Sequence, residues 1–189
     1  SLITENKEKR FEEEFFLVDP ATAAPVPMSD RLSSQLLGLE LPGTTVHREL
    51  LASQLEIVTE ICASADEALE ALVRRRAAIE RICSEHHVLP FASGTALQLP
   101  RSTEFTKGQR YATIHEFVPG IAREHFINGL HIHVHIPDAA AGVRALNALR
   151  GWLPLIAGIG ANSPIWNGEL TGFASWRTVH YRRWSATGI

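Results

Sequence analysis

Asn128–Pro137 reads NGLHIHVHIP, and within it His131, His133 and His135 alternate with Ile132 and Val134. Strict alternation marks an extended strand, because successive side chains of a strand leave opposite faces. Read so, the run turns its imidazoles to one face and its aliphatic residues to the other. An imidazole-lined strand face can hold a metal ion, receive an anionic substrate or simply meet water. What the neighbouring strands add decides among these.

On either side of this run the periodicity changes. Asp138 stands at the N-cap of a helix that should reach about Trp152, and Pro154 should end or kink it. Gly108–Arg123 is ambiguous and reads as part helix. Further towards the N-terminus, Ser64 and Glu67 form a capping box. Ala68, Leu69, Leu72, Val73, Ile79, Ile82 and Cys83 follow at helical spacing, which predicts an amphipathic helix from Ala65 to about His86. Arg74, Arg75, Arg76 and Arg81 should lie largely on its wet side. Phe11–Val18 (FEEEFFLV), Thr44–Leu50, Gln54–Thr59 and the segment VLPFASG read as strands, the second and third as antiparallel neighbours. Strands interrupted by two long helices, without regular βαβ repeats, predict an α+β sheet covered by helices on one face.

The chain has 189 residues, 45% of them hydrophobic and 21% charged, which suits one globular domain with a real core. The organisation expected is a flexible N-terminal extension over residues 1–10 and a single α+β domain over 11–189. A net charge of −3 offers no general basic field for nucleic acid. No apolar run reaches the ~18 residues of a membrane span, so no membrane partner is expected. The two cysteines, Cys62 and Cys83, make no CxxC pair, and two buried, reduced thiols in a cytoplasmic chain are expected.

Carboxylates stand on the strands. Alternation puts Glu12 and Glu14 on one face of the first strand and Glu13 on the other, and neither face is cleanly polar. Glu56 is flanked by Leu55 and Ile57 in the same manner. A carboxylate among aliphatic residues needs a cation, because an unpaired buried charge is too costly. Together these residues outline a carboxylate-lined sheet face that suits Mg2+. Three histidines favour zinc, but ligands at i and i+2 of one strand start about 7 Å apart. Nothing here resembles the HExxH pattern of zinc peptidases.

The ordered blocks EEEFFLVDP, SQLEIVT, GLHIHV, ANSPIW and TGFASWR resemble the N-terminal half of the carboxylate–amine ligase branch of the glutamate–cysteine ligase family. The resemblance runs from about residue 11 to the C-terminus. It implies a glutamine-synthetase-like antiparallel sheet backed by helices, whose concave face takes ATP, Mg2+ or Mn2+ and an amino acid. It also implies ATP-dependent formation of a γ-glutamyl amide through an acyl phosphate. By position, Glu12, Glu14 and Glu56 look like metal ligands. His131 matches a catalytic histidine near phosphoryl transfer, and His133 the polar, substrate-side position beside it. Arg177 looks like the arginine that receives a substrate carboxylate, a catalytic and substrate-binding role. Asn162 lies in a substrate-side loop with Ser163, and His135 is expected to be supporting.

The sequence departs from the family at Arg10-Phe11, where a glycine and an aliphatic residue are usual. The chain ends at SATGI, roughly at the family midpoint, so the fold is expected to be truncated and a half-site is not expected to catalyse alone. The partners implied are glutamate and an amino-compound acceptor such as cysteine, with a homo-oligomer expected because open sheet edges call for cover. The competing reading is a catalytically silent truncated domain that binds a ligand or partner.

Overall fold

The computed structural model describes residues 9–184. Residues 1–8 of the expected flexible extension lie outside that range, whereas Lys9 and Arg10 already belong to the first strand. That strand, β1 (Lys9–Val18), is the axis of the sheet. Along one side it pairs antiparallel with β3 (Gln54–Val58), which pairs in turn with β2 (Thr45–Arg48). Along the other it meets two strands end to end, β5 (Leu130–Val134) at its start and β4 (Leu89–Phe91) at its finish. All these pairings are antiparallel, as expected of an α+β sheet.

One face of the sheet is closed by helices. Phe15, Leu17, Val46, Leu55 and Ile57 pack against Leu32 and Leu36 of α1 (Asp30–Leu37) and against Ile79, Ile82 and Cys83 of α2 (Ala65–Ser84). Both helices start as local chemistry dictates. The Ser29 and Ser64 hydroxyls accept from the N–H groups of Leu32 and Glu67, and the Glu67 carboxylate accepts from Ala63 N–H at 2.7 Å. The helix α1 was not expected from the sequence, although Ser29-Asp30 is an N-terminal signal.

The arginines of α2 correct the sequence reading. Arg75 is 1% exposed and pairs with Glu60, while Arg76 forks onto Glu13, itself 3% exposed on the helix-covered face. A buried carboxylate on β1 needs a cation across the layer, and α2 supplies it. Arg74 does stay largely at the surface, beside Glu60 and Glu70.

At the far end of the opposite face, Phe16, Val18, Leu50, Leu51 and Phe126 form a second cluster that includes Ala122 of α4 (Pro119–Arg123). Tyr111 and Ile114 of α3 (Gln109–Phe117) pack against it. This cluster leaves the Glu12 end of that face open.

The helix expected over 138–152 forms as α5 (Ala139–Leu149), capped by Asp138, but it does not back the sheet. It has no buried residue, and Val143, Leu146 and Leu149 are exposed. Capping and amphipathic spacing make a helix without specifying what covers its apolar side. A short 3-10 turn (Arg150–Trp152) leads to α6 (Leu153–Ile159), with Pro154 in its first turn, where proline is tolerated. The hairpin β6 (Ile165–Trp166)–β7 (Glu169–Leu170) and helix α7 (Trp176–Tyr181) complete the described chain. No helix among the described residues is long and apolar enough to cross a membrane.

Candidate active site

Strand register builds the site. Glu14 lies directly opposite Glu56, Glu12 opposite His131, and His47 opposite Glu56. Because parity is kept across the ladder, Glu12, Glu14, Glu56, His47, His131 and His133 share one face, and Glu13 takes the other. Side-chain ligand atoms of Glu14, Glu56 and His131 lie within 4.8 Å of one another, as do those of Glu12, His131 and His133. The two groups share His131.

Glu12 answers the strand-spacing problem for the histidines. Its carboxylate meets His131 Nδ1 at 3.3 Å and His133 Nε2 at 3.0 Å, so a residue of β1 draws two imidazoles of β5 together. His135, beyond the end of β5, is in neither group. Burial raises the Glu12 pKa, but the hydrogen bonds to His133 and His131 outweigh it and leave the carboxyl below its ordinary value.

Glu14 and Glu56 are shifted the other way. Burial beside the Phe16 cluster and the negative charge of Glu49 push Glu14 up to about 7, against a hydrogen bond from Gly129 N–H at 2.6 Å and the Arg177 charge. Glu56 is also raised, by burial first and then by Glu49 and Glu12. Among the described residues neither carboxylate forms an ion pair, and the Arg177 charge offsets the crowding at Glu14 only in part. Glu49 was not singled out in the sequence although it falls within the strand expected over Thr44–Leu50, where alternation puts it on the face of His47; in the structure β2 ends at Arg48 and Glu49 follows it.

Arg177, in the first turn of α7, is carried to the edge of this face. Its backbone N–H donates to Ser163 Oγ at 3.1 Å, and its Nε donates to the Asn128 carbonyl. The guanidinium lies 5.4 Å from the centroid of the Tyr181 ring, and among the described residues no carboxylate pairs with it. Gly129 is what permits the approach. A Cβ there would stand 2.9 Å from Arg177 Nη2 and 3.0 Å from His131 Nε2, tighter than ordinary contacts. Asn162 accepts from Gly94 N–H at 3.2 Å and so ties its loop to the segment after β4.

The fold and site define an α+β domain whose open sheet face carries carboxylates and imidazoles beside an arginine that no carboxylate pairs with among the described residues. Residues 11–189 match the model of glutamate–cysteine ligase family 2, and the chain belongs to that family. It is 36% identical over 180 residues to a protein of Saccharopolyspora erythraea provisionally named glutamate–cysteine ligase 2-2, covering 94% of this chain and 46% of the relative. It is 34% identical over 181 residues to a provisionally named glutamate–cysteine ligase 2 of Rhodopirellula baltica, covering 94% and 49%. The chain thus spans about half the length of these curated relatives. In fold it is similar to the crystal structure of a bifunctional glutathione synthetase from Pasteurella multocida, with a TM-score of 0.54 and 16% identity over 75% of this chain and 18% of that one.

Proposed function

We propose that this chain forms part of an ATP-dependent carboxylate–amine ligase that joins glutamate to an amino-compound acceptor, such as cysteine, through an acyl phosphate. The observation that carries the reading is the meeting of Glu14, Glu56 and His131 within 4.8 Å, with Glu12 and His133 alongside. Membership of the family and the names of its relatives support it. Glutamate's carboxylate is a poor electrophile, and taking the γ-phosphoryl group of ATP gives it a good leaving group.

The donor set fits Mg2+ or Mn2+. It is rich in carboxylate oxygen, and burial first, then repulsion from neighbouring acids, raises Glu14 and Glu56, a crowding of charge that a divalent cation relieves. Glu12, Glu14 and Glu56 would hold the metal, which supplies charge neutralisation for phosphate oxygens. His131 stands beside the phosphoryl-transfer position, and His133 lines its substrate side. Arg177 offers its Nη groups as a fork to the amino acid's carboxylate, a geometry lysine cannot copy. Asn162 shapes the loop on the substrate side.

Buried, unpaired Cys62 and Cys83 support a cytoplasmic location. The apolar side of β5, with Leu130, Ile132 and Val134 exposed, supports association with further polypeptide. It also favours the second reading, a partner-binding domain without its own turnover.

Coupled detection of ADP release, with glutamate and an amine acceptor, tests the proposal on this chain and on any longer form of it. Arg177→Lys should raise the KM for glutamate more than that for ATP. Lysine keeps the charge but loses the fork, whereas removing the arginine altogether leaves a substrate carboxylate unpaired, at roughly 2–5 kcal/mol. Glutamate-dependent turnover indifferent to Arg177→Ala would overturn the substrate assignment.

A further inference from the structure

A single peptide unit links the arginine to the carboxylate cluster. The carbonyl of Asn128 accepts from Arg177 Nε, and the N–H of the same peptide, on Gly129, donates to Glu14 Oε2 at 2.6 Å. Any rotation of this peptide plane would move both groups at once. The residue that carries this plane is anchored on both its preceding peptide and its side chain by Gln54, 2% exposed, whose Nε2 donates to the Ile127 carbonyl at 2.9 Å and to Asn128 Oδ1 at 3.0 Å. Asn128 is itself 4% exposed, and its N–H donates to the Gly94 carbonyl at 3.2 Å. The Gly94 N–H returns to Asn162, next to the Ser163 hydroxyl that accepts from Arg177 N–H. The buried side-chain amides of Gln54 and Asn128 thus bond to each other beside the backbone carbonyl that receives Arg177 Nε, while Asn128 Nδ2 itself has no hydrogen-bond partner among the described residues.

We propose that Gln54 and Asn128 are positioning residues: they lock the Asn128–Gly129 peptide and thereby aim the Arg177 guanidinium relative to Glu14. Neither touches the substrate. The proposal rests on the reading of Arg177 as the receiver of the substrate carboxylate. The physical ground is that a fork is productive only when its plane is fixed, and a long side chain on a short helix does not fix it unaided. Gln54 lies two residues from Glu56 on β3 and so emerges on the same face as the cluster it organises.

Two measurements test it. On 15N-labelled chain, Arg177 Nε–H should exchange slowly with solvent near pH 6, and Gln54→Met should make it exchange at the rate of an exposed arginine. Fast exchange in the parent chain, or unchanged exchange in Gln54→Met, would overturn the proposal. In any form of the protein that turns over glutamate, Gln54→Met should raise the glutamate KM about tenfold, the order expected when the bond from the charged Arg177 to the Asn128 carbonyl is lost. The effect should shrink below about twofold in an Arg177→Ala background, because residues acting through one another are not additive. Full additivity would show that Gln54 acts elsewhere. If Gln54→Met does not fold, Gln54→Asn, shorter by a methylene, serves in both experiments. If Arg177→Ala leaves the glutamate KM unchanged, the substrate reading fails by itself, and the exchange data still decide whether Gln54 positions Arg177.

Discussion

Glu14 shows what it costs to seat a carboxylate between a hydrophobic cluster and other acids. Its pKa is raised from 4.5 to about 7 by burial first and by Glu49 next. A carboxyl held above its unfolded value keeps its proton more tightly in the folded state. The stability this contributes is present below about 4.5 and is lost as the pH rises to about 7, amounting to roughly 3 kcal/mol. In chelator, the melting temperature of the chain should fall over that range, and Glu14→Gln should flatten the slope; a parent chain that gains stability over the same window would contradict the assignment. On the proposed role of Glu14 as a metal ligand, only its ionised form binds, and Mg2+ affinity should weaken as the pH drops below about 7. Titration calorimetry should find Mg2+ or Mn2+ binding reduced more by Glu14→Ala or Glu56→Ala than by His135→Ala. The reverse order would place the site among the histidines. Gly129→Ala should fold yet weaken both metal and glutamate binding, because its Cβ meets Arg177 and His131.

Between elements, the docking of α2 on the sheet depends on ionic contacts as well as on apolar packing, the Arg76–Glu13 pair among them. Removing Arg76 leaves Glu13 buried without its partner, and Arg76→Ala should cost about 2–4 kcal/mol in urea unfolding. A loss under about 0.5 kcal/mol would mean the pair is a solvated one. Ser64→Ala should cost about 1 kcal/mol by removing the acceptor for Glu67 N–H. The caps at Ser64 and Asp138 are local and were legible in the sequence. The partnership of Glu13 with Arg76 was not, because the residues lie 63 apart in the chain and meet only when the layers stack.

Over the whole molecule, apolar surface is left uncovered on one flank. Leu130, Ile132 and Val134 of β5 are 49%, 58% and 42% exposed, and α5 and α6 expose aliphatic residues of their own. Among the described residues β5 pairs with β1 alone, and its other edge adds unpaired backbone groups to this surface. Light scattering after size exclusion should report a mass above that of one chain, and substituting Ile132 and Val134 by Thr should shift it towards the monomer. A strictly monomeric parent chain would count against self-association.

Alternation by itself determined which residues of each strand share a face. That is why Glu12 with Glu14, and His131 with His133, were legible as sets, and why the ordered blocks were enough to indicate the family. Only the tertiary structure decided which faces come together. Antiparallel register set Glu14 against Glu56 and Glu12 against His131, and this depends on turn geometry and layer packing rather than on any short stretch of chain. Glu49, Gln54 and the Asn128–Gly129 peptide entered the site for the same reason. Each acts through a neighbour distant in sequence, and a hydrogen bond across the fold leaves no periodicity to read.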